Sequence, residues 1–278
     1  MPAATERLAP AKVNLALHVT GRRADGYHLL DSITAFADFG DRLGVAPAAS
    51  LSLTVTGPLA AGVPLGPENS VLAAAAALGR RRGAAITLEK RLPHAAGLGG
   101  GSADAAAALR ALADLWQAPL PPPERVLALG ADVPACLEGR AVRMRGIGEL
   151  LSPLCLPPLP ALLVNPGVPL ATAAVFAALS QARNPPLPPP PDGGDRDTWL
   201  GWLASCRNDL QPPALALAPE IGAVLRALEG SEGARLARMS GSGASCFALY
   251  DSPARACAAE AAIAAAHPGW WCRAVILG

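Results

Sequence analysis

The period of apolar and polar positions changes several times along the chain, and each change predicts an element. Val13, Leu15, Leu17 and Val19 alternate with Asn14, Ala16 and His18, the two-residue repeat of a half-buried strand. A polar turn follows over 21–27, and strands are predicted over 31–38 and 42–55, broken at Gly40 and Pro47. Asn69 and Ser70 cap an alanine-rich helix that ends near Gly83, and 85–92 reads as a strand. A longer helix is predicted from about Ser102 to Gln117, stopped by the prolines of 119–123. A short helix at 124–129, a tight connection at 130–134 and a strand at 141–145 come next. Prolines gather over 152–160, which places a domain boundary there and divides the chain into 1–154 and 155–278. Beyond it the pattern predicts a strand at 161–164 and a helix capped by Thr172 running to Leu179. An exposed, extended loop of variable shape is expected over the proline tract 185–191. Helices at 198–205, 218–229 and 253–266, and strands at 235–239, 245–250 and 270–276, complete the chain. Strands and helices mix without strict alternation, so the fold class is α+β, with no repeat of fixed period.

Between the strand at 85–92 and the long helix lies Pro93-His94-Ala95-Ala96-Gly97-Leu98-Gly99-Gly100-Gly101-Ser102-Ala103. Four glycines in five positions leave backbone N–H groups bare and free to converge. A loop of this kind entering a helix N-terminus makes an anion site, and the usual anion is phosphate. No Gly-Lys dipeptide exists, which excludes a Walker A loop, and the third glycine of a dinucleotide fingerprint would fall on Ser102. A plain glycine hairpin has the same local composition; the placement between strand and helix favours phosphate. Ser102 lies near the helix start, where it can cap the helix, touch a phosphate or ligate Mg²⁺. A second glycine-rich stretch, Met239-Ser240-Gly241-Ser242-Gly243-Ala244-Ser245, alone resembles any hairpin turn. Paired with the first, it reads as a second wall closing on one polyphosphate.

Composition narrows the choice. With 51% hydrophobic and 16% charged residues the chain can build a large core, and its net charge of +1 argues for neither a nucleic-acid nor a membrane surface. No apolar run is long enough to span a bilayer, and residues 1–10, with Glu6 and Arg7, lack an apolar signal core, so a cytoplasmic location is expected. Six scattered cysteines without a Cys-x-x-Cys pair argue against a zinc cluster. Of 23 basic residues only Lys12 and Lys90 are lysines. In so arginine-rich a chain, a surviving lysine points to a place that needs a compact ammonium. Lys12, beside an apolar alternation, fits that reading; Lys90 reads equally as a surface remnant. Asp132, in Gly130-Ala131-Asp132-Val133-Pro134, is equally a helix N-cap and a carboxylate that, next to Lys12, takes a proton from an attacking hydroxyl. Tyr27 and His28 form either an ordinary turn or a pair that stacks on a base. Asn208-Asp209-Leu210 reads as a cap.

Taken together, these stretches resemble the GHMP kinase superfamily, whose pattern Pro-x-x-x-Gly-Leu-Gly-Ser/Gly-x-Ser is matched over 93–102. Pro10-Ala11-Lys12-Val13-Asn14-Leu15 and Gly241-Ser242-Gly243-Ala244-Ser245 are similar to its N- and C-terminal motifs. Arg23-Ala24-Asp25-Gly26-Tyr27-His28, Gly130 to Pro134 and Asn208-Asp209-Leu210 narrow the resemblance to one branch, which phosphorylates the 2-hydroxyl of a cytidine-diphosphate-linked methylerythritol. The resemblance implies two domains with the active site in the cleft between them, ATP and Mg²⁺ as phosphoryl donor, and a small-molecule acceptor without a nucleic-acid, membrane or obligate protein partner. It implies Lys12 and Asp132 as the catalytic pair and residues Pro93 to Ala103 for the nucleotide. Asn14, Tyr27, His28, Thr172 and Phe176 fall on the acceptor side. Mevalonate-type and homoserine-type kinases share the superfamily pattern, and a nucleotide- or RNA-binding module shares the topology, so both stay open at this level.

Overall fold

The computed structural model describes residues 5–79 and 82–278. They fall into two compact units, each discontinuous in sequence: 1–12, 39–94 and 99–139 form the first, and 13–38, 95–98 and 140–278 the second. Strands β1 (Thr5–Arg22) and β2 (His28–Pro47) pair with each other and contribute residues to both units. A division at 154/155 therefore describes the sequence rather than the contacts.

In the first unit β3 (Leu51–Thr56), α1 (Ser70–Ala77) and β4 (Ala84–Glu89) form a βαβ crossover, with β3 parallel to β4. The end of β2 runs antiparallel to β4, Arg42 opposite Glu89 and Val45 opposite Ile86. Helix α2 (Gly100–Trp116) packs on α1 and is followed by α3 (Pro123–Leu127) and α4 (Val133–Glu138), which also packs on α2. The alanines of α2 at 103, 105–108, 111 and 113 are buried together with Leu109, Leu112 and Trp116. Side chains this small allow neighbours to approach the helix on most of its faces.

In the second unit the start of β2 pairs with β5 (Val142–Gly146), and β5 with β6 (Leu150–Pro153). The strand β7 (Leu159–Asn165), buried throughout, is followed by α5 (Thr172–Ala177), α6 (Arg196–Ala204), α7 (Gln211–Leu217) and α8 (Glu220–Glu229). Then come β8 (Ala234–Met239), β9 (Cys246–Tyr250), α9 (Pro253–Ala266) and β10 (Trp271–Leu277). β7 lies between β10 and β9, β8 pairs with β9, and Leu277 of β10 meets Ala37 of β2, all antiparallel. Ile221, Val224 and Leu228 of α8 and Ala256, Ala259 and Ile263 of α9 share a core with Leu162, Val164, Cys246 and Ala248 of the sheet.

Several expectations change. Gly40 does not break a strand; β2 runs through it, and a Cβ there would lie 2.0 Å from the Ala9 carbonyl oxygen. Glycine is present because backbones approach closely. α1 stops at Ala77, short of Gly83, and the predicted extension over 80–81 lies outside the described residues, as do residues 1–4 of the N-terminal reading. The connection predicted at 130–134 leads directly into α4, the helix that the N-cap reading of Asp132 implies, while α7, which the sequence pattern does not predict, follows Asn208-Asp209-Leu210.

The proline tract is not a loose loop. His18 Nδ1 donates to Pro185 O (3.0 Å), Leu187 N donates to Asp31 Oδ2 (3.0 Å), and Trp202 Nε1 donates to Pro189 O (2.8 Å). Arg143 holds Asp31 in a bidentate pair and reaches Leu187 O as well (3.1 Å). Residues 185, 187 and 189 are fastened, an every-second spacing that suits an extended backbone. His18 accepts from Arg207 N with its other nitrogen (3.3 Å), and burial keeps its pKa below the usual value, so the neutral ring fills both roles.

Candidate active site

Asp132 occupies the N-cap position of α4, yet its side chain makes no capping bond. Its Oδ2 lies 2.8 Å from Lys12 Nζ instead. The ammonium is 5% exposed and the carboxylate 28%, so the pair offers its acid to solvent and hides its cation. Behind it the buried Cys136 thiol is pushed up by burial and then by Asp132, which removes it as a nucleophile. Lys12 also touches the glycine segment: a Cβ on Gly99 would stand 3.0 Å from Lys12 Cβ and Cε.

Gly99, at φ +64°, is the N-cap of α2, and no side chain caps that helix. The helix begins at Gly100, so Ser102 is its third residue, within the first turn, and is not the cap; its Oγ would be 3.5 Å from a Cβ on Gly130, two residues before Asp132. The first N–H groups of α2 therefore have no partner within the helix. Ala95, Gly97 and Gly99 have φ of +51°, +74° and +64°, alternating with residues outside the left-handed region, a pattern that suits an anion nest of successive N–H groups.

The second lysine is as deeply placed as the first. Lys90 Nζ is paired with Asp41 and lies 2.7 Å from Asp104 Oδ2, all three side chains being almost fully buried. Asp41 Oδ1 also accepts from the backbone N–H of Arg91 (2.5 Å) and Leu92 (2.8 Å), while Asp104 Oδ1 has no hydrogen-bond partner among the described residues. One ammonium thus faces two carboxylates, and the less supported Asp104 carries the penalty. Burial, opposed by Lys90 and reinforced by Asp41, pushes its pKa up to about 7. The two carboxylates raise the pKa of Lys90 although burial alone would lower it. A Cβ on Gly100 would lie 3.6 Å from Asp41 Oδ2 and 3.7 Å from Lys90 Nζ, so the triad underlies the first residue of α2.

Sequence reasoning misses the triad, although a signal exists. Asp41, Leu43 and Val45 share one buried face of β2, and Ala84, Ile86, Leu88 and then Lys90 share one of β4. The register continues from Arg42–Glu89 to set Asp41 opposite Lys90. A carboxylate and an ammonium that each prolong a period-two apolar face call for a buried partner.

Asn14, Tyr27, His28, Thr172 and Phe176, the residues expected on the acceptor side, all belong to the second unit, as do Ala95 to Leu98. Asn14 Nδ2 donates to Ser32 Oγ (2.8 Å) and Thr34 Oγ1 (3.2 Å), which orients a buried amide. His28 stacks on Phe176, ring centroids 4.9 Å apart and 24° from parallel. Burial, with Arg22 nearby, lowers the His28 pKa and favours the neutral ring. Tyr27 stands apart from that stack, 62% exposed. Thr172 does not cap α5, which Ala171 precedes; its Oγ1 lies 2.8 Å from Ser242 Oγ.

The second glycine stretch is not a facing wall. Ser240 Oγ donates to Gly97 O (3.0 Å), Ser245 N donates to Ala96 O (3.1 Å), and a Cβ on Gly97 would meet Ser240 O at 2.6 Å and Gly243 O at 2.7 Å. The two backbones are in direct contact at this point, with no room for a phosphate between them.

Residues 69–140 match the model of the GHMP kinases N-terminal domain, and 194–269 that of the GHMP kinases C-terminal domain. A 4-diphosphocytidyl-2-C-methyl-D-erythritol kinase of Cereibacter sphaeroides (strain ATCC 17025 / ATH 2.4.3) is 58% identical over 270 residues, 96% of this chain and 97% of that protein. The chain belongs to this family of GHMP kinases. A Paracoccus denitrificans kinase of the same name is 57% identical over 273 residues, covering 98% of this chain and 96% of its own. The crystal structure of a 4-(cytidine 5'-diphospho)-2C-methyl-D-erythritol kinase superposes with a TM-score of 0.82 at 40% identity, covering 99% of both chains. Homoserine kinase from Cytophaga hutchinsonii shares the fold at a TM-score of 0.67 but is 18% identical, over all of this chain and 95% of its own. The chain is a small-molecule kinase of a family that uses ATP, and among the described residues no helix is long and apolar enough to cross a membrane.

Proposed function

We propose that the protein transfers the γ-phosphoryl group of ATP to the 2-hydroxyl of 4-diphosphocytidyl-2-C-methyl-D-erythritol, with Asp132 and Lys12 as its catalytic pair. The observation that carries this reading is the 2.8 Å contact between a partly open carboxylate and a buried ammonium whose stem lies against Gly99. Asp132 accepts the hydroxyl proton as the oxygen attacks. Lys12 pairs with the carboxylate and stabilises the developing alkoxide, while the uncapped amides of α2 and the nest from Ala95 to Gly99 receive the phosphates. Pro93, His94 and Ala103 flank those amides. On the acceptor side, the stacked His28 and Phe176 offer a flat face to cytosine, and Tyr27, Asn14 and Thr172 are assigned to the same ligand.

Mg²⁺ fits the donor set. It is usually bound through substrate phosphates, waters and one or two protein oxygens, and Ser102 supplies a hydroxyl in the first turn of α2 close to the Asp132 segment. Bound there, it would neutralise charge on the transferring phosphate.

A coupled ADP-release assay tests the acceptor. Turnover is expected with the cytidine-linked alcohol and none above background with mevalonate or homoserine. Equal turnover with either of those would overturn the assignment.

A further inference from the structure

The second glycine stretch lies within a continuous set of bonds in the second unit. The segment Arg207–Asp209 is stitched to β1: Leu17 N donates to Arg207 O (2.9 Å), Asp209 N to Leu17 O (2.9 Å) and Val19 N to Asp209 Oδ2 (2.7 Å). From that position the buried Asn208 Nδ2 donates both hydrogens forward, to Met239 O and Gly241 O at 2.8 Å each, and its Oδ1 accepts from Leu210 N (2.9 Å). Between those two carbonyls sits Ser240, fully buried. Its hydroxyl accepts from Asn14 N (3.1 Å) and donates to Gly97 O (3.0 Å). One oxygen therefore joins a residue assigned to the acceptor with a residue assigned to the triphosphate.

We propose that the 239–245 stretch is a brace, with Ser240 and Asn208 as positioning residues that hold Asn14 and Gly97 at a fixed separation. The inference rests on the ATP and acceptor reading above and deepens it. Neither residue is required to touch a substrate. Asn208 supplies two hydrogens to the carbonyls on either side of Ser240, and Ser240 transmits that placement in two directions. Ligand binding at either end then depends on the same hydroxyl.

The test uses Ser240→Ala in the full-length chain, with initial rates measured against each substrate. Losing two hydrogen bonds is expected to raise KM for ATP and KM for the acceptor by about tenfold each, while kcat changes by less than about threefold. A purely structural role would reduce the active fraction, lowering kcat and leaving both KM values alone, and would overturn the proposal. A rise in KM for ATP alone would also overturn it, because a phosphate wall behaves that way. Asn208→Asp, which keeps the acceptor for Leu210 N and loses both donors, is expected to repeat the paired KM rise.

Hydrogen exchange on the wild-type chain gives a readout independent of variant folding. A nonhydrolysable ATP analogue alone is expected to slow exchange at Asn14 N and Ser245 N together with the glycine segment. Protection confined to that segment overturns the brace. No protection of the segment at all overturns the ATP reading on which the brace rests.

Discussion

Replacing Asp104 by Asn should make the protein more stable above neutral pH and hardly change it in acid. Asp104 has an ordinary value of 3.8 and is held at about 7 in the folded chain. A folded-state pKa above the unfolded one means that the native protein binds the extra proton between those limits. The stabilisation is then complete below about pH 4 and is lost as pH rises toward 7. Some three units at about 1.4 kcal/mol each give about 4 kcal/mol over the full range, of which roughly 3 kcal/mol is lost between pH 5 and pH 8. The amide introduced by Asp104→Asn has nothing to titrate, keeps the shape, and can still offer an oxygen to Lys90. In urea denaturation of both proteins at pH 5, 6.5 and 8, the titrations of groups remote from Asp104 cancel in the difference. The variant's advantage should widen by about 3 kcal/mol from pH 5 to pH 8. A constant gap would show that Asp104 does not titrate there. A gap that shrinks as pH rises would show that a group other than Asp104 carries the titration over this range. Either result refutes the account of one ammonium facing two carboxylates.

Three other outcomes follow from the geometry. Asp132→Asn, which keeps an amide oxygen for Lys12, should still fold and should lower ADP release by ~10²–10⁴-fold; wild-type turnover would remove it as the base. Tyr27→Ala should weaken acceptor binding by ~1–3 kcal/mol and spare ATP, measured as separate KM values; equal losses would argue against a base platform at this exposed ring. Asp31→Ala should strip Arg143 and Leu187 N of their shared acceptor, cost ~3–5 kcal/mol in denaturant melts and speed amide exchange at Leu187; unchanged exchange would mean that the proline tract is held without it.

Local patterns revealed local structure. The alternation from Val13 to Val19 lies inside β1, and the glycine segment stands between β4 and α2, because each is dictated by neighbours in sequence. What was not legible depended on partners far along the chain. Whether Asp132 would cap α4 or pair with Lys12 is decided by a side chain 120 residues away, and a carboxylate can satisfy only one of the two well. The glycines of 239–245 suit a phosphate wall or a brace equally; only their contact with Ala96 and Gly97 separates the two. Thr172 looks like a cap because threonine often is one, but its hydroxyl has Ser242 within reach. Prolines at 185–191 suggest an extended backbone but give no hint of His18, Asp31 and Trp202, the side chains that fasten it. The interleaving of the two units was equally hidden, since composition changes at 152–160 while the contacts follow the strands β1 and β2.

Both lysines of the chain are buried, each 4% exposed, and each is locked against carboxylates. The native protein should accordingly resist acylation of its lysine side chains by amine-directed reagents and cleavage by a lysine-specific protease. Reaction at Lys90 would require the floor beneath α2 to open, and reaction at Lys12 would require its bond with Asp132 to break. Mass-resolved labelling of two amines would then serve as a clock for local opening in this molecule, with one hand for each ion cluster.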